Sequence, residues 1–100
     1  MEFRQLHYFS QIVKHGSFSK AAKQLFVSQP TISNVVKELE SELGSKLFNR
    51  STRKIELTDT GRLLYQYSEN LSSSMLHFQE ELNDIKSGVK GKIKMGVYTS

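Results

Sequence analysis

Apolar residues fall into four runs with helical spacing and one short pair with strand character. Phe3, Leu6, Phe9, Ile12 and Val13 recur at steps of three and four, which predicts an amphipathic helix that Gly16 ends. Ser17 is placed to cap a second helix over "FSKAAKQL", and Phe26–Val27 breaks it. Ile32, Val35, Val36, Leu39 and Leu43 form the inward stripe of a third helix that closes at Gly44. Leu47–Phe48 and Ile55–Leu57 flank a polar, basic turn and read as a two-stranded hairpin. Thr58 or Asp59 then caps a long helix, with no Gly or Pro from Arg62 to Ser87. Those 26 residues make a rod of about 39 Å. Its apolar residues, Leu64, Tyr67, Leu71, Met75, Phe78, Leu82 and Ile85, recur every 3.5 positions on average. Such a stripe outruns a small domain, so its far end is expected to bury against another chain or domain. The alternative is that it folds back on the first three helices. Gly88 and Gly91 are hinge-like, and "KIKMGVY" alternates like a strand without a partner. That ending reads as a chain cut from a longer protein.

Pro30 stands inside the third helical pattern, in "FVSQPTISNVVKELE". With Ser28 as N-cap, Gln29 and Pro30 occupy the first two helical positions, where backbone N–H groups lack helical acceptors and proline is tolerated. Pro30 therefore marks a helix start and not a kink. The first turn is small, polar and exposed. Gln29, Ser33 and Lys37 lie four apart on the face opposite the apolar stripe, with Pro30, Thr31 and Asn34 beside them. Such a helix start suits the major groove of DNA, where Gln, Asn, Ser and Thr pair with base edges and the helix N-terminus favours phosphate. The preceding helix agrees. Counting Phe18 as position 1 of a helix-turn-helix puts Ala21 and Ala22 at 4 and 5, where two helices cross closely. Leu25, Val27, Ile32 and Val35 then fall at the apolar positions 8, 10, 15 and 18. Phe26 departs from the pattern, since many such motifs have glycine at that turn.

Charge sharpens this picture. The net +4 is uneven: residues 1–57 carry nine Lys/Arg against five Asp/Glu, residues 58–87 two against five, and residues 88–100 three against none. A basic first half followed by an acidic segment suggests that the first half meets a polyanion. Ordinary solubility charge is the other reading. Cysteine is absent, which excludes disulfides, thiolate metal sites and a cysteine nucleophile. The N-terminus has spaced apolar residues and an acid at position 2, unlike a signal peptide. No apolar run approaches the roughly 20 residues of a membrane span. His7, His15 and His77 share no metal-ligand spacing and read as surface or packing residues, so neither metal nor cofactor is expected.

"MEFRQLHYF", "GSFSKAAKQLFVSQPTISNVVKELESELGSKLFNR" and "IELTDTGRLL" resemble, in order and spacing, the N-terminal part of LysR-type transcriptional regulators over about residues 1–95. The resemblance implies a mainly α fold: a winged helix-turn-helix of three helices and a two-stranded wing, followed by a long dimerisation helix. It divides the chain into a DNA-binding domain over 1–57, a linker helix over 58–87, and a hinge with the first strand of an effector-binding domain over 88–100. It implies a bacterial, cytoplasmic regulator that binds an interrupted dyad in double-stranded DNA as a homodimer, or as a tetramer when full-length. A small-molecule effector would act only through the C-terminal domain. Thr99 and Ser100 would end the strand that lines its pocket. Asn34 stands where the family frequently has arginine or another long polar residue.

The expected DNA contacts are Ser28, Gln29, Pro30, Thr31, Ser33, Asn34 and Lys37 on the third helix and Arg50, Arg53 and Lys54 on the wing, where arginine enters the minor groove or clamps phosphate. Ser17, Ser19 and Lys20 are weaker phosphate candidates. Each has a plain alternative as a solvated side chain. Met75 and Phe78 read as dimer-seam packing. An enzyme is disfavoured, because no paired carboxylates, Ser/His/Asp order or Gly-rich phosphate loop stands out. A pure protein-interaction module would explain the long helix but not the polar helix start or the basic turn.

Overall fold

A computed structural model describes residues 1–49 and 54–88. Four helices follow in order: α1 (Phe3–His15), α2 (Phe18–Leu25), α3 (Gln29–Leu43) and α4 (Asp59–Ser87). The chain forms two compact units, Met1–Glu69 and Asn70–Ser100.

Local chemistry sets the helix ends of the first unit. Glu2 and Gln5 form a reciprocal capping box at the start of α1, and Gly16 ends it in the left-handed conformation at φ 69°. Ser17 Oγ accepts the Lys20 N–H to open α2. Ser28 Oγ accepts the Thr31 N–H to open α3, and Gly44 closes it at φ 68°. The Thr58 hydroxyl accepts the Gly61 N–H at 3.0 Å at the start of α4.

The core joins these elements. Phe9 and Ile12 of α1, Ala21 and Ala22 of α2, and Ile32, Val35, Val36 and Leu39 of α3 are buried together with Leu47 and Phe48. The two alanines leave room for α1 and α3 to close on α2, as expected where small residues meet at a helix crossing. Leu25, Val27, Ile55, Leu57, Leu64 and Tyr65 pack on this core from its edge. The helical periods extend slightly too far at two ends: Phe3 and Leu43 lie on the surface, because each falls beyond the turn that its helix packs inward.

The hairpin stalk is an antiparallel bridge between Phe48 and Leu57. Asn49 N–H donates to Glu56 O at 2.8 Å and Thr58 N–H donates to Leu47 O at 3.0 Å. The Phe48 ring lies 5.5 Å from Phe9 and 5.4 Å from Phe18, which seats the stalk on α1 and on the first residue of α2. Gly61 is buried against the same segment, where an added Cβ would come within 2.2 Å of Leu47 O. Glu69 closes the unit: its carboxylate accepts the buried Ser10 hydroxyl at 2.6 Å and pairs with Lys14 at 3.3 Å. In the second unit, Leu71, Met75, Leu76, Phe78 and Ile85 are exposed and Leu82 is half-buried. His77 and Glu81 stand 3.1 Å apart, one turn along the helix. The expected hinge and first strand lie almost wholly outside the described residues.

Candidate nucleic-acid interface

The start of α3 is built from its cap outward. Ser28 is extended at φ −77°, ψ 154°, so its hydroxyl turns back over the first helical turn. It lies 2.8 Å from the Thr31 hydroxyl while accepting the Thr31 N–H at 3.3 Å. This pair holds the turn before any ligand arrives. Gln29 and Pro30 project from it, and Ser28, Gln29, Pro30, Thr31, Asn34 and Lys37 are all exposed. Ser33 is half-buried. Directly behind them Ile32 and Val36 are fully buried, so the polar face is fixed by the core beneath it. Burial of one stripe therefore decides which side chains face solvent.

The electrostatics match that shape. From Phe3 to Lys37 the chain has no Asp or Glu and five cations: Arg4, Lys14, Lys20, Lys23 and Lys37. Ser19 and Lys20 are exposed beside the Ser17 cap of α2, and Lys23 is exposed in its last turn. The helix N-terminus adds its own partial positive charge to the Ser28–Thr31 turn. Of the wing candidates, Lys54 is exposed, while Arg50 and Arg53 lie outside the described residues. Among the described residues no three His, Cys, Asp or Glu side chains converge to hold a metal ion, and no helix is long and apolar enough to cross a membrane.

Two acidic residues brace the unit that carries this surface and were not singled out by sequence. Glu40 sits on the buried side of α3, 6% exposed, and its carboxylate accepts the Leu47 N–H at 2.8 Å. It ties the last turn of α3 to the segment that starts the wing, with Lys46 3.8 Å from the same carboxylate. An acid among Val36, Leu39 and Leu43 is the signal that could have shown it. Glu69 has its carboxyl held below the ordinary carboxylate value, first by the Ser10 hydroxyl and then by Lys14 and the field of His7, against an opposing effect of burial. Its partner Ser10 lies 59 positions away in sequence, so only the fold brings the two together.

Known proteins share this arrangement. The family model for the bacterial regulatory helix-turn-helix protein, lysR family, matches residues 3–62. A probable RuBisCO transcriptional regulator of Thalassiosira pseudonana is 43% identical over 93 residues, covering 93% of this chain and 30% of that protein. The HTH-type transcriptional regulator BudR of Klebsiella aerogenes is 36% identical over 100 residues, covering all of this chain and 70% of BudR. The BenM DNA-binding domain in its benA site 1 DNA complex superposes with a TM-score of 0.82 at 39% identity, covering 88% of this chain and 99% of that one. The chain spans about a third of the length of several of the curated relatives it matches, CitR of Bacillus subtilis (33%) among them. With its helix-turn-helix, its stalk seated on the core and its match over most of the first unit, the chain belongs to the lysR family of bacterial regulatory helix-turn-helix proteins and carries that family's winged helix-turn-helix.

Proposed function

We propose that this chain is the DNA-binding and dimerising portion of a bacterial transcription regulator. It acts in the cytoplasm and is not an enzyme. The observation that carries the reading is the exposed, pre-capped polar turn Ser28–Thr31 on a fully backed helix, in a fold that superposes on a DNA-binding domain solved on DNA. In this reading α3 enters the major groove. Gln29, Pro30, Thr31, Ser33 and Asn34 meet base edges, and Ser28 and Lys37 meet phosphate. Arg50, Arg53 and Lys54 of the wing reach the minor groove or the adjoining phosphates.

Two copies bind an interrupted dyad. The seam between them is built from Tyr67, Leu71, Met75, Phe78, Leu82 and Ile85 of α4. The exposure of five of these large apolar side chains on a folded helix supports that seam. Leu64 already packs on its own core and contributes less. Residues 1–57 are the DNA-binding domain, 58–87 the linker helix, and 88–100 the approach to a further domain that receives a small-molecule effector.

The test is binding of wild type and Gln29→Ala to a duplex selected by this chain from a randomised pool, and to random duplex, at one salt concentration. A bidentate contact from Gln29 to an adenine edge predicts a loss of about 1–3 kcal/mol on the selected duplex and little on random duplex. Equal loss on both would make Gln29 a positioning contact. No loss on either would place base reading on another face.

A further inference from the structure

Phe26 is 94% exposed, more than any other large apolar residue described. It sits between α2 and α3 at φ 60°, ψ 41°, and among the described residues it alone combines a side chain with positive φ. The turn itself needs only backbone: Phe26 N–H donates to Lys23 O at 3.2 Å and Val27 N–H donates to Ala22 O at 3.0 Å. Glycine would make both bonds without strain. The ring therefore adds nothing to folding and burdens the backbone that carries it. A strained, unburied aromatic in such a place points to a contact outside the chain.

Its surroundings name the occupant. Ser28, Gln29 and Pro30, all exposed, follow it along the chain, and the exposed Lys20 and Lys23 precede it. The whole segment from Phe3 to Lys37 is free of acids. An exposed ring three residues after Lys23 and two before the cap of α3, in a stretch with lysines and no acids, fits a polyanion that also offers apolar patches. Duplex DNA does so through deoxyribose and thymine methyl groups. We propose that Phe26 is a DNA-contact residue, its ring lying on sugar and thymine methyl at the lip of the groove that Gln29 enters. The inference rests on the proposed role of the α3 start.

The chain contains no tryptophan, so Phe26→Trp supplies a single reporter. Saturating Phe26→Trp with the duplex selected from a randomised pool should at least roughly halve acrylamide quenching of the introduced indole, as base or sugar covers it. Phe26→Gly should weaken binding to that duplex by roughly 5- to 10-fold, with the salt slope unchanged because no phosphate charge is lost. Its melting temperature should rise by roughly 4 °C as the strain is relieved. Unchanged quenching at saturation, or wild-type affinity of Phe26→Gly, overturns the inference and leaves the ring to a protein partner. A lowered melting temperature for Phe26→Gly overturns it too, by giving the ring a packing role. Gln29→Ala run alongside separates the causes. If only Gln29→Ala loses affinity, the inference alone fails; if neither does, the reading of the α3 face fails with it.

Discussion

Gly61→Ala should break the joint between α4 and the wing stalk. The added Cβ would lie 2.2 Å from Leu47 O and 2.9 Å from Leu57 Cδ2. The first obstacle is backbone, so no side-chain rotation removes it. Reaching an ordinary separation requires the start of α4 and the Leu47 segment to part by about 1 Å. That segment is held by three bonds: Thr58 N–H to Leu47 O at 3.0 Å, the Thr58 hydroxyl to Lys46 O at 2.6 Å, and Leu47 N–H to the Glu40 carboxylate at 2.8 Å. Losing two of them costs about 2 kcal/mol, and disturbing the packing of Leu47 and Phe48 costs about 1–2 more. The total, about 3–4 kcal/mol, is a large share of the roughly 5–15 kcal/mol of a small domain. Urea denaturation followed by far-ultraviolet circular dichroism measures it, with both proteins at one concentration because self-association shifts the apparent midpoint. At an m-value of about 1 kcal/mol/M the midpoint should fall by about 3 M, or the variant should be unfolded without urea. A midpoint within about 0.5 M of wild type would refute the argument, since the clash would then relax without breaking the joint.

Glu40→Ala should cost about 2 kcal/mol in the same assay by orphaning the Leu47 N–H, whereas Glu40→Gln keeps an acceptor and should cost under about 1 kcal/mol; equal costs would show that charge, not the hydrogen bond, matters there. The lowered carboxyl of Glu69 contributes stability that is fully present above its unfolded value of 4.5 and is lost as pH falls through its lower folded value. Urea midpoints below about pH 4.5 should therefore depend on pH less steeply in Ser10→Ala, and an unchanged slope would remove Ser10 as the main cause. Ser28→Ala should cost about 1 kcal/mol by leaving the Thr31 N–H uncapped, and a melting temperature equal to wild type would mean Thr31 is satisfied without it. Leu71→Asp should convert a dimer at micromolar concentration to monomer in sedimentation, because a carboxylate buried in an apolar seam lacks a partner; a persistent dimer would move the seam off α4.

Much of this molecule was legible along the chain because the deciding forces act over one helical turn. Ser17 and Ser28 as caps, Gly16 and Gly44 as stops, and Pro30 at a helix start follow from backbone N–H and C=O groups that need partners or left-handed freedom within four residues. The inward stripe Ile32, Val35, Val36 and Leu39 follows from the helical period, and it leaves Gln29, Pro30 and Asn34 on the exposed side. The period could not tell where packing ends. Phe3 and Leu43 continue their stripes in sequence yet lie at the surface, since contact depends on the reach of the neighbouring helix. Leu64 belongs to the long apolar series of α4 but packs on its own core, because the first turns of that helix are held down at Gly61 and Glu69. The exposure of Phe26 and its backbone conformation depend on how α2 hands over to α3. The roles of Glu40 and Glu69 were out of reach for the same reason. A carboxylate becomes a brace only when folding brings it an N–H from Leu47, or a hydroxyl from Ser10 lying 59 positions away, and no local pattern encodes that meeting.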